Sequence, residues 1–207
     1  MIGDYAIKNA HNGNAIVKVI TLPNNRIASY SDTIKIWKSD PPYSDTPIKV
    51  LTGHSGRVNC LVYLTERNKL LSVSVDKTLR LWDISTYQCE TIIENVEMSN
   101  VNSLYQIDND RVIVGGMKTI FIVNIVRCVI EKTIKDKSFG YVRCFLKLRD
   151  NIFCGCYCGN LICYDMNTQQ YTINKNKDTV NIISLLLINN DTFVSYSYMK
   201  AITVWGY

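Results

Sequence analysis

Five segments of this chain carry one apolar pattern at a near-constant spacing. They are AIVKVITL from Ala15, RVNCLVYL from Arg57, NVNSLYQI from Asn100, YVRCFLKL from Tyr141 and TVNIISLL from Thr179. Their anchor residues, Ile16, Val58, Val101, Val142 and Val180, are 42, 43, 41 and 38 residues apart. A period near 40 residues that recurs five times marks a repeat architecture, in which one supersecondary unit is used again and again.

Each unit keeps the same internal order. A polar turn follows the first segment (PNNR, TERN, DND, RDN, NND). Asn and Asp suit such turns because they tolerate left-handed backbone and bond their own main chain. A second short run comes next (IASYS, LLSVS, VIVGG, IFCGC, TFVSY), then a third (TIKIW, TLRLW, TIFIV, NLICY, AITVW). Weaker fourth runs read PIKVL, QCETII, RCVIEKTI and QQYTI. The runs are short and rich in β-branched and aromatic residues, which favours strand over helix. No segment holds a 3.6-residue apolar period over helical length. The expected fold is all-β, and four strands per period of about 40 residues is the plan of a β-propeller blade.

The expected arrangement is a single domain over 1–207, with repeats at approximately 11–51, 52–94, 95–135, 136–174 and 175–207. The fifth repeat stops at ITVWGY after its third strand. Residues 1–10, containing YAIKNA, are therefore expected to supply the closing strand of the last of five blades, removing two open sheet edges. Were the ring incomplete, the alternatives would be that the chain is part of a longer propeller or that it completes its ring by self-association.

Composition narrows the function classes. Lys and Arg exceed Asp and Glu by 23 to 18, but they are spread along the chain, so no nucleic acid is expected as a partner. MIGDYAIKNA has an early acid and no apolar core, so it does not read as a signal peptide. The most apolar run, TIFIVNIVRCVI, is broken by Asn124 and Arg127 and is too short to span a bilayer. The expected setting is cytoplasmic or nuclear, away from membrane.

Residues 51–84 resemble a WD repeat. The resemblance is carried by Gly53-His54 before the first strand, Ser72 and Ser74 on the second, Asp76 in the next turn and Trp82-Asp83 closing the third. Unit one is similar in part, with His11, Ser29 or Ser31, Asp32 and Trp37, then Lys38. Units three and four have Val123 and Tyr164 at the Trp position, and unit five has Trp205-Gly206. The chain has two His residues, and both fall at one repeat phase: His54 precedes Asp76 by 22 residues and His11 precedes Asp32 by 21. The resemblance implies a hydrogen-bonded network inside the blade. In it Asp76 accepts from His54, the His meets Ser72 or Ser74, and the serine meets the Trp82 indole N–H.

His, Ser and Asp together also suggest a nucleophilic triad. Catalytic groups need an exposed nucleophile in a cleft and have no reason to repeat, whereas groups that hold a blade do. Propeller enzymes usually work beside the innermost strands, and none of the five opening segments contains Asp, Glu or His. General acid–base or metal chemistry would need such groups there. An enzymatic propeller acting on a small substrate is thus the runner-up.

Eight cysteines, with Cys154, Cys156 and Cys158 in CGCYC, raise a zinc site. On an extended strand, i and i+2 thiolates stand roughly 7 Å apart, too wide for one zinc without a bend. In repeat phase these cysteines replace Ser72, Ser74 and Asp76. They are expected to be small packing residues, and no cofactor or metal is expected. VGGMKT (114–119) resembles only the end of a phosphate-binding loop, with Met117 where Gly is needed.

The resemblance implies a non-catalytic scaffold that binds partner proteins or peptides through rigid loops. By the same resemblance, contact residues sit just before the first strand and in the turn before Asp, which points to Arg57, Tyr141 and Tyr157. A substrate-recruiting subunit of a larger assembly, such as a ubiquitin ligase, is a narrower alternative.

Overall fold

The computed structural model describes residues 6–7, 10–94, 101, 103–156, 159–174, 181–197 and 202–206, with the side chains of 153 and 154 excepted. These residues form two compact units, Met1–Glu97 and Met98–Tyr207.

The first unit holds two four-stranded antiparallel sheets. One is β1 (Lys18–Leu22), β2 (Arg26–Tyr30), β3 (Ile34–Lys38) and β4 (Lys49–Leu51), hydrogen-bonded in chain order. The other is β5 (Val58–Leu64), β6 (Lys69–Ser74), β7 (Leu79–Asp83) and β8 (Cys89–Ile93), also in order. They pack through one apolar cluster, in which Ala28, Tyr30, Ile34 and Ile36 meet Val58, Leu61, Leu70 and Trp82.

The second unit holds three sheets. The first comprises β9 (Ser103–Gln106), β10 (Arg111–Gly115), β11 (Thr119–Asn124) and β12 (Val129–Lys135). The next comprises β13 (Val142–Leu148), β14 (Asn151–Cys156), β15 (Leu161–Asp165) and β16 (Tyr171–Asn174). The last comprises β17 (Ile182–Asn189), β18 (Thr192–Ser197) and β19 (Ile202–Gly206), three strands among the described residues. Ile120 and Ile122 pack on Val142, Phe145 and Tyr164, and Leu148 and Leu161 pack on Ile182, Leu185 and Phe193.

The burial pattern explains why periodicity is clear in some strands and faint in others. The middle strands β6, β10 and β11 are buried on both faces and read as continuous apolar runs. The outer strands β8 and β12 alternate between half-buried or buried and exposed residues, because one face meets water.

Register corrects one of the sequence anchors. Val58 pairs with Ser74, Val142 with Cys156 and Ile182 with Ser197, each just before a β-bulge. The fifth anchor is thus Ile182, not Val180, which lies outside the described residues together with Thr179. Ile16 sits at the anchor phase but precedes β1 and is exposed, because its side chain finds no cover within its unit. Val17 N–H still donates to the Tyr30 carbonyl, so pairing outlasts the strand itself. Of the closing strand expected over 1–10, residues 1–5, 8 and 9 lie outside the described residues.

Candidate functional site

The turn between β6 and β7 is built by one carboxylate. Asp76 Oδ1 accepts from the Thr78 amide at 3.0 Å and its hydroxyl at 2.7 Å, and Oδ2 accepts from the Ser55 amide at 3.0 Å. Lys77, between them, adopts φ 66°, the left-handed conformation that lets the chain reverse. Asp76 Oδ2 also lies 2.7 Å from His54 Nδ1.

His54 is delivered by Gly53, whose φ of 147° places its backbone against the Arg80 guanidinium and the Trp82 ring. A backbone at that φ is strained for any residue with a side chain, and a Cβ there would also stand 2.5 Å from Arg80 Nη1 and displace the guanidinium. From this position His54 Nε2 lies 2.7 Å from Ser72 Oγ, and the Trp82 indole N–H donates to the same oxygen at 2.8 Å. One proton assignment satisfies all these groups. Trp82 donates to Ser72, Ser72 donates to Nε2 of a neutral His54, and Nδ1–H donates to Asp76. Ser74 stays out of this chain; its hydroxyl donates to the Gly56 carbonyl at 2.9 Å and accepts from the Asp76 amide at 3.1 Å.

Electrostatics follow from burial. Desolvation lowers the His54 pKa below its ordinary value, and the Asp76 contact offsets only part of that. Burial opposes ionisation of Asp76, but the bonds from Thr78 and His54 outweigh it and hold the carboxyl at about 2. The pair is therefore neutral imidazole against carboxylate.

Ser72, His54 and Asp76 are connected as in a nucleophilic triad, serine oxygen to Nε2 and Nδ1 to carboxylate. The serine, however, is fully buried and its oxygen is capped by Trp82. A nucleophile must be reached by an electrophile; this one is sealed in a sheet interface. Its chemistry is polar satisfaction, in which each buried donor finds an acceptor.

The first sheet repeats part of the arrangement. His11 Nε2 lies 2.8 Å from Ser29 Oγ, which also accepts from the Trp37 indole at 2.8 Å. Burial and nearby Lys35 lower the His11 pKa. Asp32 accepts from Asn14 Nδ2, so its recorded bond is to Asn14 rather than to the imidazole. Ser31 donates to the Ala15 carbonyl, as Ser74 does to Gly56. A third copy, missed in the sequence, lies in the last sheet, where the Trp205 indole donates to Ser195 Oγ at 2.9 Å. Its signal was the ten-residue Ser–Trp spacing shared by Ser72–Trp82 and Ser195–Trp205.

A second missed device follows the Trp position. Asp83 Oδ1 accepts from the amides of Ser85 and Thr86, Asn124 Oδ1 from Val126 and Arg127, and Asp165 Oδ1 from Asn167 and Thr168. Each closes the turn into the fourth strand of its sheet.

The contact residues are placed separately. Arg57 is exposed, and its carbonyl accepts from the Val75 amide at 2.9 Å, which fixes the backbone of the loop before β5. Tyr141 is half-buried and pairs with Met117 in an isolated bridge. Tyr157 lies outside the described residues, as do Cys158 and the side chain of Cys154. Burial pushes the Cys60 thiol up to about 12 and that of Cys144 to about 11, so both are poor nucleophiles and poor metal ligands. Gly115 and Lys118 of the VGGMKT segment end β10 and turn into β11.

Residues 45–83 match the family model described as WD domain, G-beta repeat. The chain carries a WD repeat. Curated relatives include the WD repeat-containing protein 89 homolog of Dictyostelium discoideum, 33% identical over 89 residues, covering 42% of this chain and 24% of that protein. Zinc finger CCCH domain-containing protein 62 of Arabidopsis thaliana is 37% identical over 78 residues, covering 35% of this chain and 18% of that protein. The chain thus spans less than a quarter of either relative. Among solved structures, the crystal structure of the RRP9 WD40 repeats superposes with a TM-score of 0.78 at 16% identity, over 94% of this chain and 61% of that one. That likeness is one of fold, and the four-stranded antiparallel sheets are of the β-propeller type. WD-repeat propellers are typically protein-interaction scaffolds.

Proposed function

We propose that this chain is a non-catalytic docking module that binds partner proteins or peptides through the loops joining its strands. The observation that carries the reading is the burial of Ser72, His54 and Asp76. The residues with the chemistry of an active site are occupied in locking β6, β7 and the loop before β5 together. What that lock leaves outside is a rigid loop bearing exposed Arg57, and Arg is a residue type enriched where interfaces are strongest. Tyr141 and Tyr157 are the corresponding contacts in the second unit. Free cysteines among the described residues fit a reducing compartment, cytoplasmic or nuclear.

The test is affinity purification with quantitative mass spectrometry, comparing the natural chain with an Arg57→Ala, Tyr141→Ala, Tyr157→Ala variant. Loss of specific partners with unchanged thermal stability supports the reading. Equal recovery of the same partners refutes the proposed contact residues.

A further inference from the structure

Strand β12 differs from the other outer strands. It runs seven residues, against three in β4, five in β8 and four in β16 among the described residues. It ends the hydrogen-bonding order of its sheet, with β11 as its one neighbour among the described strands. A groove follows it. One cavity of about 490 Å³ is lined by Val129, Ile130, Glu131 and Lys132 of the strand, and a second of about 420 Å³ by Lys132, Thr133, Ile134 and Lys135. Gln169, in the turn from β15 to β16, lines both. The two cavities therefore track β12 over its whole length, roughly 20 Å for a strand of this size. All of these residues belong to the second unit.

The first cavity sets cations beside apolar surface. Ile122, Ile130, Tyr164 and Met166 line it together with Arg111, Arg127 and Lys132. The charges are not equally available. Arg111 lies 2.7 Å from the Asp108 carboxylate, and Glu131 accepts from the Asn124 side-chain amide at 2.8 Å. The Arg127 guanidinium is exposed and makes no hydrogen bond or ion pair among the described residues. Lys132 Nζ sits 5.3 Å from the centre of the Tyr164 ring and donates to two Gln169 oxygens, at 2.6 and 3.4 Å, which leaves one of its three N–H donors. Lys135 adds a cation in the second cavity.

Unused donors on Arg127 and Lys132, over an apolar wall, suit a ligand that carries carboxylates and apolar groups together. An extended chain points successive side chains to opposite sides. A segment alternating acidic and apolar residues can thus set carboxylates against Arg127 and Lys132 while its apolar groups meet Ile130 and Met166. We propose that this groove binds an extended acidic segment of a partner protein, laid along β12. The proposal rests on the docking-module reading but uses none of Arg57, Tyr141 and Tyr157.

Fluorescence anisotropy of the full chain tests it with two labelled peptides, one alternating Glu and Val, the other Lys and Val. The natural chain is expected to bind the first and not the second. An Arg127→Glu, Lys132→Glu variant is expected to bind the acidic peptide about tenfold more weakly or worse. A Lys18→Glu, Lys49→Glu variant, which reverses two exposed lysines of the first unit, is expected to change binding by less than about twofold. Circular dichroism melts establish that the variants are folded; if the double reversal is not, Arg127→Glu alone, at an exposed turn position, takes its place with the same direction expected. No binding of the acidic peptide, equal binding of both peptides, or undiminished binding by the Arg127 variants overturns the proposal. The Arg57→Ala, Tyr141→Ala, Tyr157→Ala variant separates this groove from the contacts proposed above. Loss of partners by that variant, with no peptide bound by the natural chain, refutes the groove alone. Equal partner recovery by that variant, with the peptide bound as expected, refutes only those contacts.

Discussion

Ser72 Oγ sits between two partners, 2.7 Å from His54 Nε2 and 2.8 Å from Trp82 Nε1, with no surface exposed to water. Ser72→Ala removes the acceptor of one buried group and the donor to another. An unsatisfied buried polar group costs about 1–3 kcal/mol, so this variant is expected to lose at least that much in urea unfolding. Ser85→Ala, on an exposed turn, is expected to change stability by less than about 0.5 kcal/mol. A double-mutant cycle with His54→Ala should give a non-zero coupling, because both residues belong to one network. Strict additivity would remove the network from the account of stability.

Acid should weaken the first unit before its carboxylates titrate. His54 and His11 both have folded pKa values below the ordinary 6.5. Below that value the unfolded chain takes up protons that the folded chain refuses. Their contribution is full above pH 6.5 and is lost as pH falls through the folded values. Asp76, held at about 2 against an ordinary 3.8, acts in the same direction at lower pH. Urea midpoints between pH 8 and pH 5 should fall, and a His11→Gln, His54→Gln variant should show a flatter profile. An equally steep fall in that variant would assign the effect to other groups.

The two glycines at one repeat phase are there for space. A Cβ on Gly115 would stand 2.4 Å from Ser103 Oγ and 2.6 Å from Val142 Cγ1; on Gly155 it would stand 2.5 Å from Ile182 Cγ2. Overpacking of this kind typically costs about 1–3 kcal/mol. Gly115→Ala and Gly155→Ala are each expected to lower the midpoint accordingly, while Gly206→Ala, with nothing within 4 Å, is not strained by contact. Thermal unfolding of the three variants side by side decides it.

Thiol labelling should separate the cysteines by burial. Cys60 is buried with its pKa raised to about 12, and Cys128 is exposed. Iodoacetamide on the folded chain, read by peptide mass mapping, should modify Cys128 and spare Cys60 until denaturant is added. Early modification of Cys60 would mean that the β5–β6 sheet opens locally.

Much of this architecture was legible because strands buried on both faces leave long apolar runs, and Asn-rich turns punctuate them. The anchor at Val180 was misplaced by two residues because TVNIISLL offers apolar residues at both phases, and only pairing with Ser197 distinguishes them. In the site, spacing placed His54 near Asp76 but left Ser72 and Ser74 equivalent. They are two apart on one strand, and which one the imidazole meets is settled by the loop that Gly53 bends. The Ser195–Trp205 bond went unread because the repeat around it has no His and no Asp between the serine and the tryptophan, where such a residue would draw the eye.

Three residues in the turns between second and third strands have positive φ: Lys77, Lys118 and Gly159, at intervals of 41. Three more, Tyr87, Cys128 and Gln169, mark the turns into the fourth strands at the same interval. Apart from the two lysines, the side chains at these places share neither size, charge nor polarity. What has been inherited is a handedness of the chain, which excludes β-branched residues but tolerates almost any other. Kinship between these repeats has thus been kept in a currency that comparison of residue types does not count, and repeats too eroded to match a family model can still be aligned by where the backbone turns left.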